Sequence, residues 1–300
     1  MVWAAFFLLL AAVYSAVVFL RPENFLVLGW DFRDHQLFLK TFLAESLRDG
    51  ELPLWIPYIC AGRPFVADPQ AGVFYPPNLL YALLSVEGAT TLLVILHIAA
   101  AGYSCFLFCR ELALNRYASL LGGVTFMFNG FLVTRAYRGQ LDPLMSIALT
   151  PLLFFLFERA ERRGDWRWYL WAGMAGALQV LAGSPHFAWL TWLGLVVYVL
   201  CRRFCQWREG GFRALGKSAS GLVVALACAA GLAAVQILPA AELVGQSIRS
   251  TGSFEFAGAF AFEHQKIVHM LFPNYLLSPG IQYFNNLPEA TGYIGLLGLV

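Results

Sequence analysis

Residues Ala89–Phe108 read ATTLLVILHIAAAGYSCFLF, a run without a single Asp, Glu, Lys or Arg. About 20 consecutive apolar residues are enough for a helix to cross the hydrocarbon core of a bilayer. The polar His97 near its centre is unusual, because polar groups inside a membrane are costly and often functional. This run predicts a membrane-spanning helix and decides the class of the protein.

The composition of the whole chain agrees with this prediction. Of its 300 residues, 59% are hydrophobic and only 13% are charged, whereas an ordinary soluble domain has about 25% charged residues. The formal net charge of +2 gives no indication of nucleic-acid binding. The sequence therefore predicts an integral membrane protein of the all-α class, a multi-spanning helical bundle that forms one domain over residues 1–300.

Further apolar runs predict the other spans. Six of them are long enough to be complete, namely Val2–Leu20, Tyr117–Thr134, Leu141–Phe157, Trp168–Ala182, Phe187–Cys201 and Ser218–Leu238. The first has no basic segment before it, so we interpret it as a retained helix and not as a signal peptide. Ala290–Val300 begins an eighth span, and a helix end inside hydrocarbon would leave carbonyl groups unsatisfied. The sequence therefore predicts an N-terminal fragment of a longer protein.

The distribution of Lys and Arg predicts the orientation. If the N-terminus is cytoplasmic, the inner loops are Cys109–Arg116, Glu158–Arg167 and Arg202–Lys217, which carry eleven of the twenty basic residues and five of the eighteen acidic ones. Basic residues concentrate in cytoplasmic loops. We therefore expect a cytoplasmic N-terminus and two large outer loops, Arg21–Gly88 and Pro239–Glu289.

The first outer loop has two contrasting parts. From Asp34 to Asp49, apolar residues at positions 37, 38, 42, 43 and 47 form a helical stripe opposite the charged residues. This pattern is typical of an amphipathic helix in the membrane interface, and Gly50 would end it. The next stretch contains many prolines, which favour ordered but irregular chain, and Pro77–Val86 predicts a second short helix.

Two carboxylates follow the first span, Asp31 and Asp34. A structural interpretation makes Asp34 a helix N-cap and Asp31 a solvated loop residue. A functional interpretation needs a carboxylate at the membrane surface that accepts a proton from a hydroxyl group or binds a divalent cation. The residue types at positions 31 and 34 allow both interpretations.

Arg135 and Arg138 lie near Asp142 at the outer start of the fourth span. Two arginines can hold a lipid phosphate by bidentate contacts, but a plain Arg–Asp pair at the interface is an equal alternative. His186 is a further polar candidate beside a span. In the second outer loop His264, Lys266 and His269 lie close together, but their spacing matches no known metal motif.

The stretch LPLWIPYICAGRPFVADPQAGVFYPPNLLYALL, Leu52–Leu84, resembles the first-loop signature of the bacterial YfhO-like membrane proteins. Ile56 stands where that family often has Asn, and GSPH at Gly183–His186 replaces a common G-H-P-Q. Further similar segments are Leu96–Phe131, Thr150–Ala160, Leu178–Trp189, Gln236–Arg249 and Tyr293–Leu299. The resemblance thus extends over almost the whole chain.

That family is similar to the C-type (GT-C) glycosyltransferases. The resemblance implies transfer of a sugar from a polyprenyl-phosphate donor to an envelope glycan or protein acceptor, at the outer face of the bacterial inner membrane. Asp31 or Asp34, with Asp31 preferred, would be the catalytic base or would bind a divalent cation, the only cofactor in question. Arg135, Arg138 and Lys266 are the candidates for the donor phosphate, and His186, His264 and His269 are further candidates.

Two functions without catalysis compete with this expectation. The chain could be a transporter or flippase for an envelope lipid, in which case its polar intramembrane residues should line one continuous path. It could also be a scaffold for envelope biogenesis that has the architecture without the chemistry. A shared architecture does not by itself imply a shared activity.

Overall fold

The computed structural model describes residues 2–19, 31–59 and 61–247, and most of this part of the chain is helical. Its α-helices are α1 (Val2–Phe19), α2 (Leu37–Arg48), α3 (Leu80–Leu83), α4 (Val86–Glu111), α5 (Arg116–Met127), α6 (Gly130–Arg138), α7 (Leu141–Ala148), α8 (Thr150–Arg163), α9 (Arg167–Leu181), α10 (Pro185–Cys205) and α11 (Trp207–Gly245). The expected all-α class is confirmed.

Several of these helices have the length and apolarity of membrane spans. Within the described ranges, five segments are long and apolar enough to cross a bilayer: Val86–Glu111, Arg116–Arg138, Leu141–Arg163, Pro185–Cys205 and Gly211–Gly245. The apolar helix α1 and the 15-residue α9 are shorter. Each of the seven predicted complete spans therefore corresponds to a helical segment, and the chain has the character of a multi-pass membrane protein. The predicted eighth span and most of the second outer loop lie outside the described residues.

Two of the predicted spans are each divided into two shorter helices. The third is divided into α5 and α6, because Asn129 Oδ1 accepts a hydrogen bond from Leu132 N at 2.9 Å and starts a new helix. The fourth is divided into α7 and α8 near Leu149, with Pro151 in the first turn of α8. Proline fits this position because its missing N–H is not needed there.

Helix α4 lies at the centre of the described bundle, where it packs against α1, α5, α7 and α8. The approach to α5 is close because Gly102 and Gly123 face each other. A Cβ atom on Gly123 would lie only 2.7 Å from the carbonyl oxygen of Gly102. Small residues allow membrane helices to approach in this way. Helix α9 packs against α11 in the same bundle.

The predicted helix over Asp34–Asp49 is present, but its start and its buried face differ from the prediction. It begins with a π-helical turn, Phe32–Gln36, which continues into α2. Asp34 lies inside that turn, so the predicted N-cap role was wrong. The predicted end is confirmed, because Gly50 follows α2 with a φ of +73°.

The inward face of α2 carries a charge that the sequence analysis assigned to the outward face. Its buried residues are Leu39, Lys40, Leu43 and Ala44, at the i, i+1, i+4 and i+5 spacing of one helical face. Phe38, which was predicted to lie on the apolar stripe, is 41% exposed. Lys40 is tolerated inside because backbone carbonyl groups accept hydrogen bonds from its ammonium group.

The proline-rich segment is ordered and largely irregular, as predicted, with one small ladder that was not predicted. The two-residue strands β1 (Trp55–Ile56) and β2 (Arg63–Pro64) pair antiparallel. Two 3-10 turns follow, Pro69–Ala71 and Pro76–Leu79, and the second leads into α3. The predicted short helix over Pro77–Val86 thus takes the form of a 3-10 turn and a single α-helical turn.

Helix α4 holds the end of this segment through buried hydrogen bonds. Tyr75 Oη lies 2.6 Å from His97 Nε2, and Tyr81 Oη lies 3.1 Å from Thr90 Oγ1. His97 Nδ1 lies 2.6 Å from the backbone oxygen of Leu93, one turn earlier in α4. His97, the polar residue in the middle of the first quoted run, therefore anchors the first loop.

The connections predicted to be cytoplasmic meet at the opposite end of the bundle. Buried Glu158 accepts hydrogen bonds from Arg162, Arg202 and Tyr198 at 2.6, 2.5 and 2.9 Å. Nearby Glu161 binds Arg203, Tyr169 and Ser218. Two carboxylates on α8 thus bind arginines of α10. The side of the membrane on which this end lies stays a prediction.

Candidate functional site

A cavity of about 390 Å³ lies where the first loop, the α6–α7 turn and the α9–α10 turn meet. All three connections were predicted to lie on the outer side. The lining residues are mostly polar: Asp31, His35, Gln36, Gln70, Arg135, Gln140, Asp142, Pro143, His186 and Phe187. Three of them, Asp31, Arg135 and His186, are residues that the sequence analysis selected.

The π-helical turn before α2 presents one wall of the cavity. Asp31 is exposed at its start, and Phe32 is buried beneath it. Gln36 at its end is buried and donates a hydrogen bond from Nε2 to Asp142 Oδ2 at 2.6 Å. His35 Nε2 lies 2.9 Å from Gln70 Oε1, which connects the turn to the proline-rich segment. Turns of this kind often occur at functional sites.

A buried ion pair lies below the cavity. Lys40 Nζ is 3.7 Å from Asp142 Oδ1, and the side chains are 2% and 1% exposed. Lys40 also donates hydrogen bonds to the backbone oxygens of Gln70 and Ala71, at 2.8 and 3.2 Å. Burial lowers the pKa of Lys40, while the neighbouring Asp142 and Asp68 carboxylates oppose this shift. The ion pair fixes the first loop to α7.

Arg135 forms the positively charged wall. It is 4% exposed, and its guanidinium carbon lies 4.5 Å from the ring centre of Phe131 and 5.8 Å from that of Phe187. Such contacts hold a guanidinium group in place, and its planar array of N–H groups suits the oxygens of a carboxylate or a phosphate. Helix α6 delivers Arg135 to this position, and Gly139, with a φ of +75°, ends the helix one turn later.

Gln140 connects the two charged walls. Its Nε2 donates to Asp31 Oδ2 at 2.6 Å, and its Oε1 accepts a hydrogen bond from Arg135 Nη1. The carboxylate on the first loop and the guanidinium group on α6 are thus joined through one side-chain amide. The two charged residues were selected from the sequence for separate reasons, and the structure brings them to the same cavity.

Of the other candidates, His186 lies at the cavity, whereas Asp34 and Arg138 do not line it. Asp34 is exposed in the π-helical turn, and Arg138 is partly exposed in the last turn of α6; neither is among the lining residues. His186 is exposed at the cavity, with its ring centre 4.1 Å from that of Phe187. The candidates Lys266, His264 and His269 lie outside the described residues.

Five polar lining or supporting residues were not predicted: His35, Gln36, Lys40, Gln70 and Gln140. A signal for two of them was present in the sequence. Gln36 and Lys40 are four positions apart and share a helical face with the apolar Leu39 and Leu43, a face on which polar residues need buried partners. Gln140 follows a helix-ending glycine and carried no such pattern.

The lining suits proton transfer and anion binding. Asp142 is already engaged by Gln36 and Lys40, so Asp31 is the exposed carboxylate of the described cavity wall. In the ranges that the structure describes, no group of three or more His, Cys, Asp or Glu residues could hold a metal ion.

Neither a family model nor a curated protein matches this chain. The first-loop segment from Leu52 to Leu84, quoted above, contributes Gln70 to the lining of the cavity. The glycine of the G-S-P-H turn, Gly183, also packs against Asp142.

Proposed function

We propose that this protein is a membrane glycosyltransferase, which transfers a sugar from a polyprenyl-phosphate donor to a hydroxyl group of an envelope acceptor on the extracytoplasmic side. One observation carries the proposal. Asp31 and Arg135, the candidate base and the candidate phosphate ligand, line one cavity of about 390 Å³ and are joined through Gln140. A base beside an anion-binding group is the pair that this reaction needs.

The reaction assigns a different part to each residue. A new bond forms between the acceptor oxygen and the anomeric carbon of the sugar, and the bond from that carbon to the phosphate oxygen breaks. Asp31 accepts the proton of the acceptor hydroxyl as this bond forms. Arg135 stabilises the negative charge that develops on the departing phosphate. No additional reactant is needed to balance the transfer.

Helix α10 offers a place for the apolar tail of the donor. It begins at the cavity with His186 and Phe187, and its next turns expose Trp189, Leu190 and Leu193. An isoprenoid chain is apolar along its whole length. It can therefore lie along this face within the bilayer while its phosphate reaches Arg135.

The direct experiment is sugar transfer by the full chain in nanodiscs, supplied with polyprenyl-phosphate-linked sugars and envelope glycan acceptors. Formation of a glycosylated acceptor supports the proposal. Movement of a fluorescent polyprenyl-phosphate sugar across proteoliposomes without transfer would favour the flippase alternative. The absence of both transfer and movement would favour the scaffold alternative. The same assay with a chelator separates the two roles of Asp31, because only a cation-dependent reaction stops when the divalent cation is removed.

A further inference from the structure

We propose that Gln140 is a positioning residue, which holds the Asp31 carboxylate in a fixed orientation relative to Arg135. This inference rests on the proposed function, and it adds a residue that the sequence analysis gave no role. Gln140 contacts both charged groups of the cavity, with Nε2 on Asp31 Oδ2 at 2.6 Å and Oε1 on the Arg135 guanidinium group.

The orientation of the Gln140 amide is determined by its two partners. A carboxylate only accepts hydrogen bonds, and a guanidinium group only donates them. A rotated amide would place an oxygen against Asp31 and a nitrogen against Arg135, and both hydrogen bonds would be lost. In the described orientation the amide forms a hydrogen bond with both Asp31 and Arg135. The second carboxylate oxygen, Asp31 Oδ1, takes no part in the hydrogen bond to the amide.

The backbone of Gln140 is itself anchored on both sides. Its N–H donates to the backbone oxygen of Arg135 at 3.0 Å, and its own oxygen accepts from Leu144 N at 3.2 Å. Gly139, with a φ of +75°, makes the sharp turn that brings Gln140 to the start of α7. A side chain on an anchored backbone loses less conformational freedom when it forms further hydrogen bonds.

This bridge matters because Asp31 is otherwise an exposed residue on the π-helical turn. An exposed carboxylate can sample several rotamers, and a general base must lie within hydrogen-bond reach of the proton that it accepts. Small errors in position cost up to about 10²-fold in rate. Gln140 restricts Asp31 Oδ2, and with it the direction in which Oδ1 can point.

The first test compares two substitutions of Gln140. Gln140→Met has nearly the same shape and removes both hydrogen bonds, while Gln140→Glu keeps an acceptor for Arg135 but places an oxygen against Asp31. If Gln140 acts through Asp31, we expect both variants to lower kcat by on the order of 10-fold to 10²-fold, with the donor KM unchanged in Gln140→Met, which adds no charge beside Arg135. A residue that only supports Arg135 would tolerate Glu. Wild-type kcat in Gln140→Glu would therefore overturn the inference.

The second test is a double-mutant cycle with Asp31→Ala. Because residues that act as a unit are not additive, Gln140→Met should lower kcat no further in the Asp31→Ala background. Thermal unfolding of the same four proteins gives an independent cycle, in which the Tm losses should likewise be less than additive. Additive losses in both cycles would contradict the inference. Gln206→Met, a partly buried glutamine near the opposite end of α10, is the control and should match wild type.

These outcomes separate the inference from the proposed function. If Asp31→Ala abolishes transfer and Gln140→Met does not reduce it, the function stands and the positioning role is wrong. If the wild-type protein transfers no sugar, the proposed function and the catalytic meaning of the bridge fall together. The thermal cycle then still decides whether Gln140 and Asp31 are coupled in the folded protein.

Discussion

Lys40 and Asp142 form an ion pair of 3.7 Å between α2 and α7, and both side chains are almost completely buried. Asp142 also accepts from Gln36, and Lys40 also donates to the backbone of Gln70 and Ala71. The pair therefore connects three segments: the π-helical turn, the proline-rich segment and α7. These segments form much of the cavity wall, so the pair supports the candidate site from below.

Removal of Lys40 should destabilise the protein strongly. Lys40→Met leaves Asp142 buried without its cation, and loss of one partner of a buried pair typically costs about 3–5 kcal/mol. We expect the double variant Lys40→Met/Asp142→Leu to be more stable than Lys40→Met alone, because no charge is then left unpaired. Denaturant unfolding in detergent measures the free energy of unfolding of both variants. A double variant less stable than the single one would contradict this account of the pair.

The lowered pKa of Lys40 also predicts how stability depends on pH. Because burial lowers this pKa below its ordinary value of 10.5, the unfolded chain binds a proton more readily than the folded one. The free energy of unfolding should therefore rise with pH between the lowered pKa and 10.5. This contribution should be absent in Lys40→Met and retained in Lys217→Met, which changes an exposed lysine of α11. Equal pH slopes in all three proteins would be evidence against a buried, shifted Lys40.

Gly183 at the start of the G-S-P-H turn should not tolerate a side chain. Its φ is +107°, and a Cβ atom would lie 2.8 Å from the backbone oxygen of Pro69 and 3.0 Å from Asp142 Cβ. We expect Gly183→Ala to cost about 1–3 kcal/mol and to lower transfer by moving the cavity wall. Gly216→Ala is the matched control, because nothing lies within 4 Å of that position and alanine favours the helix. Equal stability of the two variants would refute the close packing at Gly183.

The predicted orientation can be tested by labelling introduced cysteines in intact cells. In a background without the six native cysteines, Glu51→Cys lies in the first loop and Arg167→Cys lies at the first residue of α9, next to its connection with α8. Both positions are exposed. A cytoplasmic N-terminus predicts that a membrane-impermeant thiol reagent labels the cysteine at position 51 and not the one at 167. The reverse pattern would invert the topology and place the cavity on the cytoplasmic side.

The sequence predicted the helical spans well because apolar length is a local property. It did not predict the breaks at Asn129 and Leu149, since the hydrophobic character is nearly continuous through both positions. Those breaks depend on hydrogen bonds such as that from Leu132 N to Asn129 Oδ1. The same is true of Lys40, whose burial depends on carbonyl groups of Gln70 and Ala71, about thirty positions later in the chain.

The candidate site was predicted in part for a similar reason. Asp31 and Arg135 are charged residues near the ends of predicted spans, and a charge close to a membrane span is a functional candidate in any sequence because it is costly there. Gln36 and Gln140 are neutral amides, and their importance appears only when the residues that they connect are placed in space. Both Asp31 and Asp34 were candidates, with Asp31 preferred, and of these two residues Asp31 lines the cavity.

The central claim is that Asp31 is the general base of sugar transfer. Asp31→Asn is nearly isosteric and should preserve the fold, whereas loss of a general base typically lowers the rate by ~10²–10⁴-fold. Asp49→Asn changes an exposed carboxylate at the end of α2 and serves as the control. Asp34→Asn shows which of the two neighbouring carboxylates acts.

The decisive measurement is the rate of sugar transfer from a polyprenyl-phosphate donor by these variants in nanodiscs, with thermal unfolding recorded for each. We predict that Asp31→Asn loses at least about 10²-fold in kcat with an unchanged Tm, while Asp34→Asn and Asp49→Asn keep the wild-type rate. Transfer by Asp31→Asn at the wild-type rate would contradict the assignment.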